Sequence, residues 1–174
     1  MPSEWTYPYL SGTGKAGTCH GTTPFPPEHP HSGSVMNAAN ITGHVVVPSN
    51  NYNAMMTAIA TVGPLAISVD AGAWHDYSGG VFTGGNHTNP TLDHLVQLVG
   101  YGTDPQHGDY WLVRNSWTPL WGEEGYIRLA RSATPTCGMD INPLDGNGCK
   151  GGPAAVKVCG QSGVLYDAVY PTVN

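Results

Sequence analysis

Apolar and polar positions follow two rhythms along this chain. Gly43-His44-Val45-Val46-Val47 is a short strand-like run stopped by Pro48, which has no N–H to give a sheet. Asn50 or Asn51 stands where a helix N-cap belongs. Met55, Ile59 and Val62 then recur at i, i+4 and i+7, a one-sided spacing that predicts a helix to about residue 62, ended by Gly63-Pro64. Leu65, Ile67 and Val69 alternate with Ala66, Ser68 and Asp70, the pattern of a half-buried strand. After a turn-rich stretch at 71–91, residues 93–101 and 109–116 form a predicted hairpin. Its turn at 103–108 holds Asp104-Pro105 and Gly108. A loop at 118–125, a strand at 126–131, a long Gly/Pro/Cys loop at 132–162 and a last strand at 163–171 complete the reading. Residues 1–40 carry Pro24, Pro26, Pro27 and Pro30 among Ser, Thr, Gly and His, and read as loop. The sum is an α+β fold, mostly antiparallel sheet with at least one helix and no internal repeat.

Composition narrows the function. The 174 residues hold six Lys and Arg against twelve Asp and Glu, so the chain is too poor in cations for general nucleic-acid binding. No apolar run approaches the ~20 residues of a membrane span. No secretory signal pattern opens residues 1–30. Cys19, Cys137, Cys149 and Cys159 lack paired C-x2-C spacing, so disulfides are the better reading than zinc. The eight histidines show no H-E-x-x-H, and His20, His29 and His31 read as solvated loop residues, so neither metal nor cofactor is expected. Two sequons, Asn40-Ile41-Thr42 and Asn86-His87-Thr88, point weakly to the secretory route.

The hairpin makes a geometric prediction. With its turn centred near residue 105, antiparallel partners have numbers adding to about 209, as His94 and Asn115 do. A carboxamide oxygen beside an imidazole accepts from one ring nitrogen, fixes the tautomer and leaves the other nitrogen free for proton transfer. The plainer reading of such a pair is a polar cross-strand contact.

The surrounding words carry a resemblance. Leu92-Asp93-His94-Leu95-Val96-Gln97-Leu98-Val99-Gly100-Tyr101-Gly102 resembles the histidine motif of papain-family cysteine peptidases. Tyr110-Trp111-Leu112-Val113-Arg114-Asn115-Ser116-Trp117 resembles their asparagine motif, continued by Trp121-Gly122-Glu123-Glu124-Gly125-Tyr126. Tyr7-Pro8-Tyr9, Ala60-Thr61-Val62-Gly63-Pro64, Val69-Asp70-Ala71-Gly72 and Tyr170-Pro171-Thr172-Val173 are similar to the cathepsin L branch. The resemblance implies a two-lobed papain-like fold, of which this chain is the C-terminal portion: a loop-rich interlobe segment at 1–42 and an antiparallel, barrel-like His/Asn lobe at 43–174. It implies His94 as general base and acid, Asn115 as its orienter, and Trp117 and Trp121 as supporting aromatics over the His–Asn bond.

It also implies absences. The family attacks peptide carbonyls with a Cys thiolate and binds the oxyanion with a Gln side chain and a backbone N–H. No cysteine here sits in a C-G-[SA]-C-[WY] context, and the family spacing puts the nucleophile about 36–56 residues before Met1. The chain alone is therefore expected to be inactive, a half that works with a cysteine-bearing N-terminal lobe on a peptide or protein substrate. The rival reading is a non-catalytic peptide-binding or half-protein module that needs a second chain. Cys19 resembles a family cysteine bonded to the first half. Two of Cys137, Cys149 and Cys159 can pair, and the sequence does not say which. The family bridge just before the catalytic His is absent, because residues 82–92 hold no cysteine. Asp167, three before the final Tyr-Pro, falls at the floor of the family's pocket for the P2 side chain, with Ser68, Leu92 and Asp93 lining it. The resemblance implies a lysosome-like or extracellular setting.

Overall fold

A computed structural model describes residues 14, 15 and 40–173. The chain divides into two compact units, residues 44–170, and residues 1–43 with 171–174. Expectations for residues 1–13 and 16–39, Cys19 among them, fall outside the described residues.

Among the described residues the strands are β1 (Ile41–Val46), β2 (Leu65–Val69), β3 (Val81–Phe82), β4 (His94–Asp104), β5 (Gly108–Arg114), β6 (Tyr126–Ala130), β7 (Cys137–Asp140), β8 (Val156–Cys159) and β9 (Ala168–Val173), with one α-helix, α1 (Tyr52–Thr61). A seven-stranded sheet runs in the order β1-β9-β2-β4-β5-β6-β3, and β7-β8 form a separate pair. Every register resolved in both sheets is antiparallel except that of β3 with β6, which is parallel. The α+β reading therefore holds: a mostly antiparallel sheet with one α-helix among the described residues.

Local chemistry explains the elements. Asn51 caps α1, its side chain accepting from the Ala54 N–H at 3.0 Å. Met55, Ala58 and Ile59 of that helix are buried, whereas Val62 is the C-cap and half exposed, so the apolar stripe closes on Ala58 rather than Val62. In β2 the alternating set Leu65, Ile67 and Val69 is buried, facing Val96 and Leu98 of β4, Trp111 and Val113 of β5, and Ile127 and Leu129 of β6 in one core. Each such side chain contributes about 1.5–3 kcal/mol on burial. Across the opposite face of the same strands, Ala66, Gln97 and Arg114 stand in one register row, all exposed, beside Leu95, which is 69% exposed.

Four expectations need correction, the simplest being that the last strand begins at Ala168 rather than 163, after a short 3-10 turn at Gln161–Gly163. The β4–β5 hairpin pairs Asp104 with Gly108 and Gln97 with Arg114, so partners add to 212 near the turn and 211 beyond an irregularity between Leu98 and Gly100. The turn is centred one residue later than composition suggested. Asp104 Oδ1 accepts from the Gln106 and His107 N–H groups, both at 2.9 Å, and Gly108 takes φ +82°, which closes the loop there. The 132–162 segment is not all loop: β7 and β8 pair within it, Cys137 opposite Cys159. The turn-rich 71–91 stretch contains the two-residue β3, too short to show a rhythm.

Candidate active site

His94 opens β4 and pairs with Val69 of β2 in the sheet, which fixes its backbone. Asn115 follows the last residue of β5, its N–H bonded to Gly125 O at 2.9 Å. They are not a register pair, yet their side chains meet: His94 Nε2 lies 2.9 Å from Asn115 Oδ1. The Ser116 N–H also donates to that oxygen, at 2.7 Å, which identifies it as the carbonyl end of the amide. Nε2 must therefore carry the proton, and Nδ1 is left as the nitrogen able to take one up. Asn115 is 9% exposed, and its Nδ2 is buried without a hydrogen-bond partner among the described residues.

Aromatic rings surround the pair. Trp117 stacks on His94 with ring centroids 5.1 Å apart, and His75 lies flat on Trp117 at 4.9 Å and 9°. Trp121 meets Trp117 edge-on at 5.3 Å and stacks with Trp74 at 6.1 Å. Trp74 is fully buried and presents its ring to His94 in a T-shaped contact at 6.3 Å. Both indole donors of this floor are satisfied: Trp74 Nε1–H gives to Ser162 Oγ at 3.0 Å, and Trp121 Nε1–H to Trp74 O at 3.2 Å. Trp117 lies against His94, whereas Trp121 packs on Trp117 and Trp74 rather than on the His–Asn bond itself. Trp74, His75 and Ser162 were missed, because they come from turn-rich segments with no periodic signal.

The loop bearing Trp121 is shaped by positive φ at Thr118, Gly122, Glu124 and Gly125. A Cβ on Gly122 would lie 2.6 Å from Tyr126 O, so only glycine fits there. Glu123 anchors the loop, accepting from the Gly80 N–H at 2.9 Å and from Arg128 at 2.7 and 2.8 Å. Arg128 also donates to Asp104 at 2.7 Å. Hydrogen bonds from Arg128, then from the Gln106 and His107 N–H groups, hold the Asp104 carboxyl well below the usual carboxylate range. Arg128 likewise lowers Glu123, against some burial, and is itself pushed upward by the two carboxylates.

The four residues proposed around a side-chain pocket share a neighbourhood. Ser68 is buried, and its Oγ–H donates to Asp167 Oδ2 at 2.6 Å. A further donor escaped the sequence reading: Asn147 Nδ2–H reaches the same oxygen at 3.2 Å, while the Asn147 N–H bonds to Leu92 O at 3.0 Å. Gly146 lies so close that a Cβ there would be 2.2 Å from Leu92 O. Leu92 is buried, and Asp93 turns its carboxylate to the Ala71 N–H at 3.1 Å.

Residues 1–147 match the family described as papain family cysteine protease. The chain belongs to that family. It is 48% identical over 99 residues to "Cathepsin L-like" of Caenorhabditis elegans, covering 56% of this chain and 29% of that protein. It is 41% identical over 143 residues to Vignain of Vigna mungo, covering 80% and 34%. The structure of digestive procathepsin L2 proteinase from Tenebrio molitor superposes with a TM-score of 0.65 at 31% identity, over 98% of this chain and 42% of that one. Bromelain protease from Ananas comosus gives 0.61 at 34%, over 84% and 60%. The chain thus spans about a third of the length of the curated relatives it matches.

Within this papain-family chain the disulfide left open by sequence is Cys137–Cys159, which ties the ends of the β7–β8 pair, and Cys149 is free and exposed. Among the described residues no cluster of His, Cys, Asp or Glu has the arrangement of a metal site, and no helix is long and apolar enough to cross a membrane.

Proposed function

We propose that this chain supplies the His/Asn half of a cysteine-type endopeptidase site. The observation that carries the reading is the His94 Nε2–H bond to Asn115 Oδ1 at 2.9 Å, stacked by Trp117. That bond fixes one tautomer and leaves Nδ1 for a thiol proton. In the completed site the thiolate adds to the scissile carbonyl carbon while His94 holds the proton. His94 then gives that proton to the departing amine, leaving an acyl-enzyme. Water, deprotonated by the same nitrogen, releases the carboxylic acid and restores the thiol. The nucleophilic Cys and the oxyanion Gln belong to a cysteine-bearing lobe, whether on the same longer chain or a separate one. No cofactor takes part.

The substrate is a peptide or protein, and Asp167 at the pocket floor favours a basic P2 side chain beside apolar ones. Ser68 and Asn147 both donate to Oδ2, which leaves Oδ1 to meet a cation. Relatives named cathepsin L and digestive procathepsin support a lysosome-like or secreted setting. A second reading, a non-catalytic half-protein module, draws on the exposed row Ala66, Gln97 and Arg114 beside Leu95, a sheet face fit for another lobe.

The deciding experiment combines the chain with the separately produced cysteine-bearing lobe of mouse procathepsin L and follows hydrolysis of a Phe-Arg amide. Hydrolysis is expected only in the mixture, with a loss of about 10²–10⁴-fold on His94→Ala. Association without hydrolysis supports the module reading. Hydrolysis by the chain alone overturns the half-site.

A further inference from the structure

Asn86 lies in a surface segment that the peptidase reading does not use. Its sequon, Asn86-His87-Thr88, is followed by Asn89 rather than proline. Both Asn86 and Thr88 are exposed. The Asn86 Oδ1 accepts from the Thr88 N–H at 3.1 Å and the Asn89 N–H at 3.0 Å, so the carboxamide is held by its oxygen and its nitrogen faces no acceptor among the described residues. The segment is braced: Thr88 O accepts from the Met139 N–H at 3.0 Å, and Asn89 Oδ1 from the Ile141 N–H at 3.2 Å.

What it is braced against has an unusual surface. Met139, Ile141 and Leu144 are exposed by 44%, 65% and 63%. Met139 and Ile141 are bonded through their own backbones to residues two and three after Asn86. Residues 139–144, hydrogen-bonded to the Asn86 segment, thus expose three large apolar side chains. A bulky, hydrated group on Asn86 would stand beside them.

We infer that Asn86 is an N-glycosylation site whose glycan shields the apolar surface of Met139, Ile141 and Leu144. The step transfers an oligosaccharide from a polyprenyl diphosphate donor. The bond from Asn86 Nδ2 to the anomeric carbon of the sugar forms, the bond from that carbon to the diphosphate oxygen breaks, and Nδ2 loses a proton. Attachment occurs on the emerging chain, so the folded protein must leave the sugar room, and an exposed, oxygen-tethered asparagine does so. Asn40, in the other sequon, is also exposed, but its Thr42 Oγ1 is engaged by Thr172, and nothing proposed for Asn86 depends on it.

Glycosylation of Asn86 rests on the secretory routing proposed above, so the experiment supplies that route with an appended signal peptide in a eukaryotic host. The secreted chain is compared before and after peptide-N-glycosidase. Asn86→Gln and Thr88→Ala are each expected to remove one glycoform, and Thr88→Ser to keep it. Enzymatic trimming of the folded chain is expected to raise binding of an apolar dye, and Met139→Ser with Ile141→Ser to abolish that rise. An unchanged glycoform pattern in Asn86→Gln overturns the site, and loss of the glycan without a change in dye binding overturns the shielding. Routing is read separately, from whether the protein isolated from its native source carries any N-glycan. A negative there sinks the secretory setting and leaves the competence of Asn86 standing.

Discussion

Ser162→Ala isolates the anchor of the aromatic floor beneath His94. Ser162 Oγ is the acceptor for the buried Trp74 indole N–H at 3.0 Å. Removing it leaves a donor on a fully buried side chain with nothing to bond, a loss of about 1–3 kcal/mol. Ser162 adopts φ 53°, in the left-handed region. Alanine keeps the same Cβ, so the backbone strain is common to both chains and cancels in the comparison. Glycine at 162 loses the hydroxyl too but sheds strain of about 1–2 kcal/mol, so Ser162→Gly is expected to be less destabilised than Ser162→Ala. Urea unfolding followed by near-ultraviolet dichroism measures both, and a chain of this size loses about 2–4 °C of melting temperature per kcal/mol. Trp74→Phe removes the donor, so Ser162→Ala should cost less in that background, with a coupling of at least about 0.5 kcal/mol. Strict additivity, or an alanine variant as stable as the parent, would refute the reasoning.

Other outcomes follow from the same structure. Reducing Cys137–Cys159, 22 residues apart in sequence, should cost about 3 kcal/mol through freed chain entropy, and iodoacetamide should label Cys149 before either bridged cysteine. Gly146→Ala drives a methyl to 2.2 Å from Leu92 O, so a destabilisation of about 1–3 kcal/mol is expected in thermal melts. In the completed enzyme, Asp167→Ala should lower cleavage of substrates with Arg at P2 relative to those with Leu at P2. An unchanged ratio of kcat/KM values would remove Asp167 from the pocket.

Much of this fold was readable because its signals are local. The Asn51 cap, the Leu65-Ile67-Val69 alternation and the Asp104-Pro105 turn each act over a few residues; the first two appear where expected and the turn one residue later. The nearness of His94 and Asn115 was legible too, although by inexact arithmetic. The irregularity at Leu98/Gly100 shifts the strands, and the side chains close the remaining distance. What escaped depends on contacts between segments without rhythm. Trp74 reaches Ser162 across 88 residues of sequence, and Asn147 reaches Asp167 from a stretch that composition marked as loop. The β7–β8 pair was hidden because four-residue strands among Gly and Pro leave no countable alternation, and the Cys137–Cys159 bridge that joins them links cysteines whose pairing the sequence left open.

The floor under His94 has two anchors that respond differently to acid. One is the Trp74–Ser162 bond, which involves no titrating group. The other is Glu123, which fastens the Trp121 loop through Gly80 and Arg128, with Asp104 bound to the same guanidinium. Folding lowers both carboxyl groups, chiefly through the Arg128 hydrogen bonds. As pH falls, the unfolded chain takes up these protons first. Stability from this network is therefore complete above about pH 5 and is lost progressively below about pH 4. Arg128 stays protonated throughout and adds no pH dependence. Melting temperatures measured from pH 7 to pH 3 should accordingly hold until the acid limb and then fall, and Arg128→Gln should flatten that limb by returning both carboxyls toward their ordinary range. Ser162→Ala should instead lower the whole curve without changing its shape. A parallel acid limb in Arg128→Gln would mean that the Trp121 loop is held by something other than this ion network.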